Sequence, residues 1–102
     1  MRMVQAIVAP ENLPAVTARL ADAKIFRMTV SEVHGVSNTA GMAFADVSPE
    51  PMVRIEVGVN EDFLEKAVTA IEQGGGERGR IFTFELQDVI RIRTGETGPE
   101  AI

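Results

Sequence analysis

Hydrophobic and polar residues alternate along this chain with two different periods, which succeed one another from segment to segment. A period of two residues, or a short unbroken apolar run, is typical of a β-strand. The clearest case is 53–59, where valines and an isoleucine alternate with Arg54, Glu56 and Gly58. Extended structure is predicted at 3–8, 24–36 (as a strand that ends at Gly35), 53–59, 81–86 and 89–93.

Apolar residues spaced three or four apart predict two helices between these strands. The first covers 12–22. The second covers 60–74, where Asn60 is expected to cap the start and Gly74 to end the helix. The connection over 35–51 is long and rich in glycine, serine and proline, and such a connection in a small domain is usually functional or mobile.

The predicted order of elements is strand, helix, strand, long loop, strand, helix, strand. This order is typical of a ferredoxin-like α+β sandwich, βαββαβ, and its length of 102 residues suits a single domain, 1–102. Two helices cover only one face of the sheet, so the other face is expected to be buried between subunits of an oligomer. A deep ligand site in so small a domain is then expected to be shared between subunits.

Four of the eight arginines fall between 78 and 93. On a strand over 89–93, Arg91 and Arg93 would lie on one face, roughly 6.6 Å apart, which suits the phosphates of a nucleotide. The glycine-rich 74–80 segment adds Arg78, Arg80 and exposed backbone N–H groups, so the two segments together predict a phosphate cradle. The alternative is a salt-bridged surface, with Glu56, Glu85 or Glu96 as partners, and the residues alone favour neither.

Composition narrows the classes of function. The net charge of -5 and the pI near 4.8 argue against binding to nucleic acid, and no apolar run is long enough for direct membrane insertion. The absence of cysteine fits a cytoplasmic location. His34 is the only histidine, so no metal site is expected. No serine or threonine has an evident activating base, so catalytic residues are not expected; a hydrolase would have to use Glu77 or Glu96.

The tail VIRIRTGETGPEAI at 89–102 resembles the C-terminal signature of the P-II nitrogen-regulatory signal-transduction proteins. Further resemblance lies in Gly79-Arg80-Ile81-Phe82, in Met28-Thr29-Val30-Ser31-Glu32-Val33-His34-Gly35 and in the strand over 53–57. The resemblance spans nearly the whole sequence. It implies a ferredoxin-like homotrimer that binds ATP, ADP or AMP in clefts between subunits. Mg²⁺ could accompany ATP in these clefts.

The resemblance also assigns roles to residues. Met28 and Thr29 would meet the adenine, and Arg80, Arg91 and Arg93 would hold phosphates. Gly79 would let the backbone approach the nucleotide. The base of the long loop would approach the phosphates through Gly35, Ser37 and Asn38.

In the family, the long loop is the T-loop, about 36–52 here, and it engages a target transporter, enzyme or regulator. Met42, Phe44 and Ser48 are the expected partner-binding residues, while 94–102 form a C-terminal segment. The T-loop of the family carries a tyrosine that is uridylylated. This protein has no tyrosine, which excludes that modification. Thr39 and Met52 replace the family's glutamine and lysine, which counts against a response to 2-oxoglutarate.

The resemblance thus implies a non-enzymatic, nucleotide-sensing regulator of nitrogen metabolism. The short loop without tyrosine leaves an alternative open, which is a P-II-like regulator linked to carbon supply, bicarbonate or a transporter and responding to ADP or AMP. A structural trimer of the metal-tolerance type would use His or Cys ligands, which this sequence lacks apart from His34.

Overall fold

Four strands and two α-helices make up most of the part of the protein that the computed structural model describes, residues 1–36 and 49–102. Two short 3-10 turns, Pro10–Asn12 and Gly98–Ala101, precede the first helix and follow the last strand. The strands are β1 (Arg2–Val8), β2 (Thr29–Gly35), β3 (Glu50–Val59) and β4 (Arg80–Glu85), and the helices are α1 (Leu13–Asp22) and α2 (Glu61–Gly74).

The strands form one antiparallel sheet in the order β2-β3-β1-β4. With the sequence order strand, helix, strand, strand, helix, strand, this is the ferredoxin-like α+β architecture, and the predicted fold is confirmed. The long connection joins β2 to β3, which pair directly from Thr29 opposite Glu56 to Gly35 opposite Glu50. The two ends of that connection therefore leave and re-enter the sheet side by side.

Both helices pack on one face of the sheet, because each central strand turns every second side chain toward them. Val16 and Leu20 of α1 and Ile71 of α2 meet these strand residues with almost no exposed surface. The fully or nearly buried strand residues of this core are Val4, Ala6, Val8, Val53, Ile55, Val57 and Val59.

The opposite face of the sheet carries the alternate residues of each strand, and no helix within 1–36 or 49–102 lies over it. Met3, Gln5 and Ile7 of β1 lie there, half-buried, and Met3 and Gln5 stand opposite Phe84 and Phe82 of β4. The two phenylalanine side chains are 45% and 48% exposed, which is unusual for large apolar residues on neighbouring strand positions. The sequence prediction of a sheet face without a covering helix is confirmed for the described residues.

α1 and α2 touch through their backbones at one point. A Cβ added at Gly74 would lie 2.8 Å from the backbone nitrogen of Val16 and 2.9 Å from the carbonyl carbon of Ala15. Only glycine allows this approach, since the atoms it would meet belong to the backbone and cannot rotate away. The glycine that the sequence identifies as a helix terminator therefore also sets the distance between the helices.

Two predicted boundaries differ by three residues or more from those observed. The extended segment expected from residue 24 begins only at Thr29, because Lys24 is left-handed (φ 65°) and the N–H of Ile25 still bonds the Leu20 carbonyl at 2.9 Å. β3 begins at Glu50, three residues before the predicted start at residue 53, since its first residues pair with the end of β2. The connection between β2 and β3 is therefore shorter than predicted, because residues 50–52 belong to β3.

The predicted strand at 89–93 is wrong. Ile90 makes only an isolated bridge to Thr97, and the backbone then reverses direction, with the Arg91 N–H donating to the Glu96 carbonyl at 2.9 Å. The Gly95 N–H donates to the Arg91 carbonyl at 2.8 Å, and Gly95 is left-handed (φ 75°). The alternation of isoleucine and arginine therefore runs into a turn, not along a sheet, and Ile92 is fully exposed.

Asn60 occupies the N-cap position of α2, as predicted, but its side chain does not cap the helix. Its amide N–H donates instead to the Pro99 carbonyl at 3.1 Å, and its Oδ1 is buried without a hydrogen-bond partner among the described residues. The expectation that Asn60 caps this helix is wrong in this respect, because the C-terminal 3-10 turn takes up its amide group.

Replacing Gly74 by alanine should lower the free energy of unfolding by about 2 kcal/mol, since the new methyl group forces apart two backbones in contact. Urea unfolding at one fixed protein concentration would measure this loss. The neighbouring exposed Gln73→Ala substitution is the control, and its effect should stay within about 0.5 kcal/mol. Equal stabilities for the two variants would contradict the close helix contact.

Candidate functional site

A glycine-rich turn links the end of α2 to β4 and lies against the end of β1. A Cβ on Gly79 would lie 2.9 Å from the Gly75 carbonyl oxygen and 3.4 Å from Cγ1 of Val8, and Gly76 is left-handed (φ 73°). Side chains at these positions would block the turn, so the glycines are required by the path of the backbone. A small pocket of about 140 Å³ opens here and is bounded in part by Gly75, Gly76, Gly79 and Arg80.

The side chain of Asn12 holds this turn in place. Its Nδ2 donates to the Gly75 carbonyl at 3.2 Å, from the 3-10 turn that follows β1. The amide nitrogen is so close to Gly76 that an added Cβ there would approach it to 2.3 Å. The glycine-rich turn is therefore attached to the start of α1 as well as to the end of α2.

Arg80 opens β4 and points to the uncovered face together with Arg54. The register places Arg80 opposite Ile7 and Ile7 opposite Arg54, so the two arginines flank one residue of the central strand. Arg54 Nε donates to Ser31 Oγ at 3.2 Å and lies 3.4 Å from Glu56 Oε1. Arg80 is exposed and forms no ion pair with any described residue.

Gly35 lies at the same end of the sheet. It pairs with Glu50, whose carboxylate forms an ion pair with Nη1 of Arg78 in the glycine-rich turn. Gly35, Gly79 and Arg80, three of the residues expected to meet phosphate, thus lie toward the same end of the sheet, with Gly35 on the edge strand β2 and Arg80 on the other edge strand β4. We call this group, with the glycine-rich turn, the glycine end of the sheet.

Met28 and Thr29 lie at the opposite end of the sheet, where β2 begins. Met28 packs against the core, while Thr29 is exposed and stands opposite Glu56. Since β2 has seven residues, Thr29 and Gly35 are separated by roughly 20 Å along the strand. We call the end that begins β2 the arginine end, because Arg91 and Arg93 follow β4 on that side.

Arg91 is already bonded within its own subunit. Its Nε donates to the Ala101 carbonyl at 3.2 Å and its Nη2 to the backbone oxygen of Ile102 at 3.4 Å, while Glu96 lies 3.9 Å from Nη1. Arg93 is exposed in the turn and forms no ion pair with the residues that the structure describes. The salt-bridge alternative is therefore correct for Arg91, with Glu96 as the partner.

Within the described residues of one subunit, the two arginine-bearing segments do not meet. Arg80 begins β4 and Arg91 follows its end, and the strand between Arg80 and Glu85 is roughly 17 Å long. Because β4 carries the segments 74–80 and 89–93 to opposite ends of the sheet, their joint action as a phosphate cradle, expected in a site shared between subunits, stays a prediction. The remaining expected residues, Ser37, Asn38, Met42, Phe44 and Ser48, lie outside the described residues, as does Thr39.

Sequence reasoning misses two residues that shape the glycine end. Asn12 stands at the start of a helix, where its residue type suggests a cap, and no local signal points to a contact 63 positions away. Glu50 falls within the predicted loop, so its pairing with Gly35 and Arg78 is not expected from the sequence. Both contacts join segments that are distant in sequence.

The fold and these two ends define a small ferredoxin-like domain with one uncovered sheet face and a glycine-rich turn beside it. A family model described as "Nitrogen regulatory protein P-II" matches residues 1–96, and the chain belongs to this family. The resemblance found from the residues is confirmed.

Relatives agree with this assignment over their full lengths. Nitrogen regulatory protein GlnK1 of Methanosarcina mazei is 40% identical over 115 residues, covering 100% of this protein and 97% of the relative. A nitrogen regulatory protein P-II of Bradyrhizobium diazoefficiens is 33% identical over 112 residues, with 100% of both proteins covered. The crystal structure of Arabidopsis thaliana PII bound to citrate superposes with a TM-score of 0.84 and 32% identity, covering 99% of this protein and 91% of that one.

These relatives are named as regulatory proteins, and the protein is a member of a family of signal-transduction regulators. None of the helices within 1–36 and 49–102 is long and apolar enough to cross a membrane.

Replacing Asn12 by alanine should loosen the glycine-rich turn, because the Gly75 carbonyl loses its side-chain donor. The expected cost is about 1 kcal/mol in the free energy of unfolding, with faster amide hydrogen exchange confined to 75–79. Hydrogen exchange read by NMR would measure the local effect.

Thr17→Ala is a suitable control for this experiment. It also removes a side-chain hydrogen bond, from Thr17 Oγ1 to the Pro14 carbonyl at 2.9 Å, but on the solvent side of α1. Exchange in the glycine-rich turn should remain as in the unaltered protein. Equal acceleration of hydrogen exchange at 75–79 in both variants would mean that the Asn12 hydrogen bond does not specifically stabilise the turn.

Proposed function

We propose that this protein is a non-enzymatic P-II regulator of nitrogen metabolism, which binds ATP, ADP or AMP between the subunits of a homotrimer and signals through the loop between β2 and β3. The observation that carries the proposal is the division of the expected binding residues between two ends of one sheet. Gly35, Gly79 and Arg80 lie at the glycine end, and Met28, Thr29, Arg91 and Arg93 lie at the arginine end.

A closed ring of identical subunits resolves this division. When each subunit presents its glycine end to the arginine end of the next, one complete set of residues forms at every interface. A ring of three subunits then has three equivalent sites, in agreement with the trimers that are the norm of the family.

The uncovered sheet face supports association. Phe82 and Phe84 are about half exposed in the isolated subunit and stand opposite Gln5 and Met3, so the two rings and Met3 form a largely apolar surface. Burying such a surface contributes roughly 25 cal/mol for each Å² removed from water. A subunit interface on this face would remove the cost of exposing those side chains, and it would bring Arg54 and Arg80 toward the centre of the assembly.

The chemistry of the two ends supports a nucleotide with phosphate groups. Arg80 and Arg93 each have a guanidinium group free of ion pairs with the described residues, and a guanidinium group bonds phosphate oxygens in pairs. The tight turn at Gly79 brings backbone groups close to the same place. The related Arabidopsis structure contains citrate, which is also a small anion.

Arg80→Ala and the double substitution Arg91→Ala with Arg93→Ala should each weaken ATP binding about tenfold or more, since each removes charge-assisted hydrogen bonds to phosphate. Isothermal titration of the separate variants would measure the loss. Arg19→Ala, on an exposed position of α1, is the control and should bind as the unaltered protein does.

Mixing the two defective variants tests whether the site is shared. After joint unfolding and refolding at equal amounts, about a quarter of the interfaces combine an intact glycine end with an intact arginine end, so binding at that fraction of sites should return. A site contained within one subunit would regain no binding on mixing. No ATP binding to the unaltered protein would contradict the proposed function.

Phe82→Asp should dissociate the oligomer into folded monomers, because it places a charge in the centre of the apolar sheet face while leaving the helix-side core untouched. Sedimentation velocity would measure the assembly state, and far-ultraviolet circular dichroism would monitor the fold. Thr83→Asp, which turns to the other face of the same strand, is the matched control. A stable assembly in the Phe82 variant would place the interface elsewhere.

A further inference from the structure

Arg78 is positioned in the glycine-rich turn but is engaged by two carboxylates from other parts of the protein. Its Nη1 forms an ion pair with Glu50 at the start of β3, and its Nη2 lies 3.5 Å from Glu11 Oε1 in the turn after β1. Arg80, two residues further on, forms no such pair with described residues. The charge of Arg78 is therefore compensated by carboxylates, whereas that of Arg80 is not compensated by any described residue.

The charges around the turn do not favour an anion in this arrangement. Glu11, Glu50, Glu72 and Glu77 surround the turn or lie within it, so the carboxylates outnumber the two arginines. With Arg78 neutralised by its partners, Arg80 is the one guanidinium group of the described turn that is available to a ligand. A second available guanidinium group would substantially strengthen the attraction of the turn for a phosphate group.

The ion pairs of Arg78 are of a kind that a ligand can displace. The side chains of Arg78 and Glu50 are 53% and 51% exposed, and that of Glu11 is 70% exposed. Exposed ion pairs are screened by water and contribute little to stability. A phosphate group offers several oxygens and more negative charge than a carboxylate, so it competes well for a planar guanidinium group.

We propose that Arg78 is a further phosphate-binding residue of the glycine-rich turn and that Glu50 is its built-in competitor. The inference rests on the proposed nucleotide site and adds a residue to it. Nucleotide phosphate displaces Glu50 from Arg78, and the affinity for nucleotide is lowered by the ion pair that must first be broken. Occupancy of the site thereby breaks the ion pair of Glu50, the first residue of β3, which stands opposite Gly35.

A double-mutant cycle in ATP affinity tests this competition. Glu50→Gln should bind ATP roughly fivefold more tightly than the unaltered protein, because Arg78 is then free to meet phosphate. Arg78→Gln should bind more weakly, and the double variant should bind no more tightly than Arg78→Gln alone. Glu11→Gln is a second variant, with a smaller expected gain in affinity, since its carboxylate is the more distant partner. Isothermal titration gives all these affinities.

Glu65→Gln is the matched control. It removes the same charge from an exposed position of α2, which is not among the residues expected to meet the nucleotide, and should leave ATP affinity unchanged. An equal gain from Glu50→Gln in the presence and absence of Arg78 would reveal a general charge effect and overturn the role of Arg78. Unchanged affinity in both Glu50→Gln and Glu11→Gln would also overturn it, while ATP binding to the unaltered protein would still support the proposed function.

Discussion

The antiparallel pairing of β1 with both β3 and β4 is the constraint on which the rest of the structure depends. With β1 in the middle, its alternate residues can be buried by helices on one side only, and both helices are used on that side. The same pairing places Ile7 between Arg54 and Arg80, and it sends the backbone after β4 back toward the start of β1. The positions of the arginines, the uncovered face and the glycine-rich turn all follow from this register.

Periodicity predicted the fold well because most of its signals are local. The alternation over 53–59 and the apolar spacing in both helices identify the buried face of each element, and the order of elements then leaves few topologies. Of the two boundaries that differed most, the start of β2 is delayed by the local turn at Lys24, whereas the start of β3 is set by a partner distant in sequence. β3 extends back to Glu50 because its first residues pair with the end of β2. The residues near Glu50 carry no local pattern that predicts this pairing.

The residues of the candidate site were chosen from the sequence by their type, and the structure differs from that prediction in how it places them. Arginines and glycines indicated phosphate chemistry, but the alternation of Arg91 and Arg93 suggested a strand where the backbone makes a turn. That alternation had no neighbouring strand to pair with, and Gly95 with its left-handed backbone ended any extended path. The separation of Arg80 from Arg91 depends on the direction of β4 within the sheet, which residue types do not encode.

The contact between the helices at Gly74 has a consequence for the cost of binding a ligand. The turn that follows Gly74 is fixed on one side by the helix pair and on the other by Asn12, so its backbone is ordered in advance. Ordering a free loop costs about 1 to 2 kcal/mol of conformational entropy for each residue. In the anion binding proposed above, a turn held in this way would avoid most of that loss, so that more of the attraction between arginine and anion would be retained as affinity.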